Sequence, residues 1–176
     1  MTRIMRTLHF GIEMEMTGIT RAQAANLMGA FFGTGRGTHK GGTYDTYTAS
    51  DDKGRNWKAM SDSSIWAQRK VDGQIEGAPN EYRTEVVSPI LSYDDIPKLQ
   101  ELVRTLRKAG AMVNSSCGIH IHVGAEQFTP KTLWNLVNLM ASKEDMIYHA
   151  LQIDPIRKGR YCQKTDGTFL AKLNKK

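Results

Sequence analysis

The segment Leu8-His9-Phe10-Gly11-Ile12-Glu13-Met14-Glu15-Met16 alternates strictly between two kinds of side chain. Leu8, Phe10, Ile12, Met14 and Met16 share one face, and Gly11, Glu13 and Glu15 share the other. That is the period-two pattern of a strand laid over a core. Gly118-Ile119-His120-Ile121-His122-Val123-Gly124 does the same, with Ile119, Ile121 and Val123 opposite His120 and His122. Each strand therefore presents a pair of ligand-type side chains above an apolar underside. Two such pairs point to a built metal site rather than to a decorated surface.

The pattern between and after these strands predicts the other elements. Thr20 caps a helix running to about Phe32, with Ala24, Leu27, Met28 and Phe31 on its buried side and Gly33 past its end. The glycine-rich stretch from Gly33 to Gly42 is expected to be a loop. Thr43–Ala49 and Arg55–Ser61 form a hairpin around Asp51-Asp52-Lys53-Gly54. Gln68–Glu81 is a long polar connection or an exposed second hairpin, and Tyr82–Val87 is a strand stopped by Ser88-Pro89. A helix follows from about Asp94 to Ala109, with Pro97 in its first turn, Ile96, Leu99, Leu102, Val103 and Leu106 as its stripe, and Gly110 ending it. Ala111-Met112-Val113 makes a short strand. Thr129-Pro130 opens a long helix with Leu133, Leu136, Val137, Met140, Ile147 and Leu151 facing inward. Single strands and hairpins separated by helices predict an α+β fold with a mainly antiparallel sheet, as one domain over 1–176.

Charge and composition narrow the function. The net charge is +6 at pH 7, and the stretch from Ile156 to Lys176 holds seven Lys/Arg against the single acid Asp166. Lys172, Lys175 and Lys176 are expected to be a solvated tail. The remaining cations suit the phosphate of a small ligand better than nucleic acid, because no basic stripe is interleaved with aromatic residues. No apolar run approaches the ~20 residues of a membrane span. Arg3 and Arg6 precede an apolar stretch, but Glu13 and Glu15 interrupt it, so no secretory signal is expected. The expected location is the cytoplasm. Cys117 and Cys162 are too few for a disulfide framework.

The candidate residues each have a plain and a chemical reading. Glu13 and Glu15 could be the charged face of a half-exposed strand. Like charges on one face repel unless something positive lies between them, and a hard cation such as Mg2+ or Mn2+ takes oxygen ligands. His120 and His122 could be ordinary histidines near a sheet edge, or could bind metal or donate to a phosphoryl oxygen. Glu85, mid-strand in Arg83-Thr84-Glu85-Val86-Val87, is either paired with a base such as Arg83 or functional. Asp62 is a turn or cap aspartate, or it orients an amine or a metal-bound water. His120-x-His122-x-x-x-Glu126 is similar to a cupin metal motif, but Thr129-Pro130 then starts a helix and no second histidine motif follows. A TIM-barrel hydrolase would need ~250 residues.

Taken in order, Phe10-Gly11-Ile12-Glu13-Met14-Glu15, the tract Trp57 to Asp62, Glu85-Val86-Val87-Ser88-Pro89 and Cys117-Gly118-Ile119-His120-Ile121-His122-Val123 resemble the amidoligases. These are small relatives of glutamine synthetase and glutamate–cysteine ligase. The resemblance implies ATP-dependent amide bond formation between a carboxylate and an amine, through an acyl phosphate. It implies a curved antiparallel sheet with helices on its outer face, as in the glutamine synthetase catalytic domain. Glu13, Glu15, Glu85 and His120 then resemble ligands of Mg2+ or Mn2+. His120 also resembles a residue near the phosphate, and His122 and Asp62 resemble catalytic residues. Arg157 and Arg160 are the candidate partners of ATP phosphate oxygens. The family usually continues further, through an Arg-x-Phe type motif. The expectation is therefore a truncated or split member, with weak or no ligase activity by itself, whose open sheet edge a second copy in a homo-oligomer or a completing partner chain would cover. The alternative is a non-catalytic protein that keeps the fold and binds metal, nucleotide or a partner.

Overall fold

A computed structural model describes residues 7–175; Met1, Met5, Arg3, Arg6 and Lys176 lie outside them. The chain divides into two compact units, one through Gly124 and the other from Ala125.

The first unit is organised around β1 (His9–Met16), as its alternation predicts. It is followed by α1 (Arg21–Phe32), β2 (Thr38–Gly41), β3 (Thr46–Ser50), β4 (Asn56–Met60), β5 (Gln68–Val71), β6 (Gln74–Gly77), β7 (Thr84–Val87), β8 (Leu91–Ser92), α2 (Ile96–Lys108) and β9 (Ile119–Val123). Seven strands form one sheet in the order β2-β3-β4-β7-β1, with β8 and β9 also on β1, and every pairing is antiparallel. β7 and β8 take successive stretches along one edge of β1, and β9 takes the other. Ser88-Pro89 ends β7, as expected, and the short β8 follows it. The Ser88 hydroxyl accepts the Ile12 N–H at 2.9 Å, keeping that donor satisfied across the break. β5 and β6 pair as a separate hairpin.

The core lies between one sheet face and the helices. Met14, Met16, Ala49, Trp57, Ala59 and Val86 from the strands meet Ala24, Ala25, Met28 and Phe32 of α1 and Leu102 and Leu106 of α2. Thr20 and Gln23 cap the start of α1 reciprocally, and Gly33 ends it with φ +71°. The loop after α1 folds back on it. A Cβ at Gly29 would stand 2.1 Å from the Gly35 carbonyl oxygen, so only glycine fits there.

Three local expectations need correction. The glycine-rich stretch is not wholly loop: Thr38–Gly41 pairs with β3 through a register shift between His39 and Gly41. Ala111-Met112-Val113 contributes only an isolated bridge, Met112 to Thr17. The third correction lies in the second unit, which holds α3 (Pro130–Ala150), α4 (Pro155–Lys158) and α5 (Gly167–Leu173). No described residue of α3 is buried, and Leu133, Leu136, Met140 and Leu151 are exposed rather than inward. Within this unit Glu144 accepts the Thr165 N–H and hydroxyl at 2.7 and 2.6 Å. No helix among the described residues is long and apolar enough to cross a membrane.

An ion network holds the β3–β4 turn to the start of α2. Arg55 donates to Asp51 at 2.8 Å and to both Asp95 oxygens at 2.9 and 3.1 Å, and Lys53 reaches Asp95 at 2.6 Å. Asp95 also accepts the Ser92 N–H. The Arg55 hydrogen bonds, with help from Lys53 and Ser92, hold the Asp95 carboxyl far below its ordinary 3.8. Its stabilisation is therefore present above that ordinary value and is lost as pH falls through the depressed one. We predict that Asp95→Ala lowers stability by about 2–4 kcal/mol at pH 7. Urea unfolding across a pH series should show the deficit shrinking in acid; a deficit independent of pH would rule out the ionic origin.

Candidate metal centre

The face of the sheet opposite the core carries the site. Side chains on neighbouring antiparallel strands share a face when their Cα atoms are register partners. Glu13 pairs with His120, Gly11 with His122, Glu15 with Glu85, and Glu85 with Met60. The acidic pair of β1 is thus flanked by the imidazole pair of β9 on one edge and by Glu85 of β7 on the other. The ladder continues at Glu15, whose N–H donates to the Gly118 carbonyl at 3.0 Å.

Distances define two linked halves. In the first, the His120 ring stands between the carboxylates, with Nδ1 3.4 Å from Glu13 Oε2 and Nε2 3.4 Å from Glu15 Oε1. His122 Nε2 lies 3.2 Å from Glu13 Oε1. In the second half, Glu15, Asp62 and Glu85 each direct a carboxylate oxygen into one cluster, the three oxygens lying within 4.8 Å of one another. Glu15 belongs to both halves. It is 5% exposed, and its Oε2 accepts the Gly118 N–H at 2.7 Å, which fixes the carboxylate.

Asp62 reaches the cluster from just past β4. Its Oδ1 accepts the Ser64 N–H at 2.6 Å, so it closes a turn and still offers an oxygen to the site. Tyr44, Met60, Ser61, Asp62, Ser63 and Glu85 line an adjoining cavity of about 340 Å³.

Electrostatics separates these acids from those of the Asp95 network. Glu85 has no ion pair with Arg83 or any other base among the described residues. Burial first, then the charges of Glu13, Asp62 and Glu15, raise its carboxyl to about 7. Among the described residues no Lys or Arg pairs with Glu13, Glu15, Asp62 or Glu85, and carboxylates crowded in this way suit a bound cation. The oxygen-only cluster of Glu15, Asp62 and Glu85 fits a hard divalent ion, with His120 beside it as a nitrogen donor.

The structure thus brings together six of the residues singled out in the sequence: Glu13, Glu15, Asp62, Glu85, His120 and His122. It joins Asp62 to the carboxylates as a ligand-type oxygen, a grouping that sequence distance conceals. Arg157 and Arg160 belong to the second unit, where both guanidinium groups lie 5.0 Å from the centre of the Tyr161 ring. Tyr44 and the Ser61 and Ser63 that flank Asp62 were not singled out. Only the clustering of hydroxyls around Asp62 hinted at the serines.

An α+β protein with an acidic, histidine-flanked centre on an antiparallel sheet is the class that fold and site define. The family model described as "Putative amidoligase enzyme" matches residues 6–176. The chain belongs to that family, and the family's chemistry is ligase-type amide bond formation. Comparison with curated proteins and with solved structures finds no match.

The raised Glu85 carboxyl makes a signed prediction. The folded state holds this proton to higher pH than the unfolded chain does. Its contribution is complete below the ordinary 4.5 and is lost as pH rises through about 7. In metal-free buffer, Glu85→Gln should exceed the wild type in stability at pH 8 by on the order of 2 kcal/mol, with the gap closing towards pH 5. Thermal or urea unfolding measures it, and equal pH profiles for the two proteins would contradict the assignment.

Proposed function

We propose that this chain catalyses ATP- and divalent-cation-dependent amide bond formation between a carboxylate and an amine, through an acyl phosphate. The observation that carries this is the convergence of Glu15, Asp62 and Glu85 within 4.8 Å beside the Glu13–His120 pair, on a member of the amidoligase family. Joining ATP to a carboxylate brings several negative charges together, so the reaction needs charge neutralisation and positioning more than covalent help. Mg2+ or Mn2+ supplies that neutralisation when bound.

The chain's own residues supply the rest. Glu15, Asp62 and Glu85 hold the cation from three different segments, β1, the turn after β4, and β7. Glu13 and Glu15 hold His120 through its two ring nitrogens and Glu13 holds His122 through Nε2, which leaves His122 Nδ1 as the proposed donor to a phosphoryl oxygen. The carboxylate substrate attacks the terminal phosphorus of ATP and ADP leaves. The amine then adds to the acyl carbon, a proton is lost from nitrogen, and phosphate departs with the C–O bonding pair. The cavity beside Asp62 and Glu85 is polar on its Ser61 and Ser63 side and offers room for the amine. Arg157 and Arg160 are the proposed residues for ATP phosphate oxygens, and kinship with the glutamine synthetase catalytic fold, on a sheet that here is not curled, is part of the same reading. The substrates are small carboxylates, amines or peptides, and the proposed setting is the cytoplasm.

Hydroxylamine tests the acyl phosphate directly, because it captures an activated carboxylate as a hydroxamate. With ATP, Mg2+ and a panel of amino acids and peptides, hydroxamate and ADP should form in equal amounts. Glu15→Gln keeps an oxygen for the Gly118 N–H while removing the charge, so it should fold normally and lose about 100-fold or more in rate. ADP release that needs no carboxylate, or full activity in Glu15→Gln, would overturn the reading.

A further inference from the structure

Arg21 is 3% exposed and lies at the first position of α1, outside the carboxylate cluster. Its Nε and one terminal nitrogen donate to Asp45 Oδ2 at 3.1 and 2.6 Å. The other terminal nitrogen donates to the carbonyls of Asn80 and Arg83 at 2.7 and 3.1 Å. One guanidinium therefore joins the turn between β2 and β3 to the segment that leads into β7.

Both of those segments lead to the site. Next to Asp45, the Tyr44 carbonyl accepts the Ser61 N–H at 2.8 Å, one residue before Asp62. Arg83 stands two residues before Glu85. Asp45 itself is held in the left-handed region at φ +44°, which a non-glycine residue adopts at a cost. Its second oxygen lies 2.6 Å from His39 Nε2, and the His39 ring stacks on Tyr47 at 4.4 Å. The turn is thus pinned from both carboxylate oxygens.

We infer that Arg21 is a positioning residue for the metal centre, setting the separation of Asp62 and Glu85 by clamping the two segments that deliver them. The inference rests on the reading of Glu15, Asp62 and Glu85 as a cation site. Arginine is required because its planar fork serves three acceptors at once, whereas a lysine ammonium is a single point on a flexible stem. Arg21 reaches no reacting group; it acts through Ser61 and Arg83 on the ligands beyond them.

The test uses the full chain and two variants. Asp45→Ala breaks the clamp at a half-exposed side chain, and Arg21→Lys keeps the charge but not the fork. Mn2+ titration calorimetry and backbone hydrogen exchange are measured on each folded protein. We expect Mn2+ affinity to fall about tenfold in Asp45→Ala. Exchange should quicken in residues 61–64 and 83–86 but not in β9. Arg21→Lys should follow; if it does not fold, Asp45→Ala alone decides. Unchanged Mn2+ affinity in folded Asp45→Ala overturns the inference, even where exchange quickens, because the clamp is then structural only. A wild type that takes no Mn2+ sinks the cation reading itself; exchange in the two segments then decides whether Arg21 holds them.

Discussion

The pairing of β1 on both its edges is the constraint on which the site depends. β7 fixes Glu15 opposite Glu85, and β9 fixes Glu13 opposite His120. A slip of β1 by one residue against its neighbours would turn the acidic pair into the core and bring Met14 and Met16 out. The apolar face of β1 forbids that slip, because Met14 and Met16 are buried against α1 and α2. The hydrophobic core therefore does more than hold the sheet to its helices. It sets which side chains face the site, and the ladders set their spacing.

Two acidic clusters in the same unit show opposite electrostatic designs. Around Asp51 and Asp95, each carboxylate meets Arg55, and Asp95 also meets Lys53 and the Ser92 N–H. Every charge there has a partner, and the Asp95 carboxyl is pulled far below its usual value. Around Glu85 the neighbours are Glu13, Glu15 and Asp62, and its carboxyl is pushed up to about 7. Crowding of this kind opposes folding in the absence of a cation. A protein keeps such an arrangement where the missing positive charge comes from outside the chain. The first cluster is structural and the second is the proposed cation site, and the partners of each carboxylate separate the two.

Much of this was legible in the sequence, for identifiable reasons. The strands β1 and β9 announce themselves by strict alternation, and α1 by its Thr20 and Gly33 caps, because these signals are local. β2 was hidden because Gly41 and Gly42, both at positive φ, look like loop residues. The apolar stripe of α3 follows helical spacing, but spacing gives a face and not its cover. Asp62 carries only the local signature of a turn, and it does make that turn; its approach to Glu15 depends on the strand between them, β7, pairing with both β4 and β1. Arg21 gave no signal, since its partners lie 24, 59 and 62 residues away and two of them are backbone carbonyls.

The most direct measurement is an anomalous-difference map from crystals soaked in Mn2+. A peak is expected on the open sheet face, with oxygens of Glu15, Asp62 and Glu85 at about 2.2 Å and His120 alongside. A strong Mn2+ peak elsewhere, with the three carboxylates bonded only to protein groups or water, would contradict the proposed cation site.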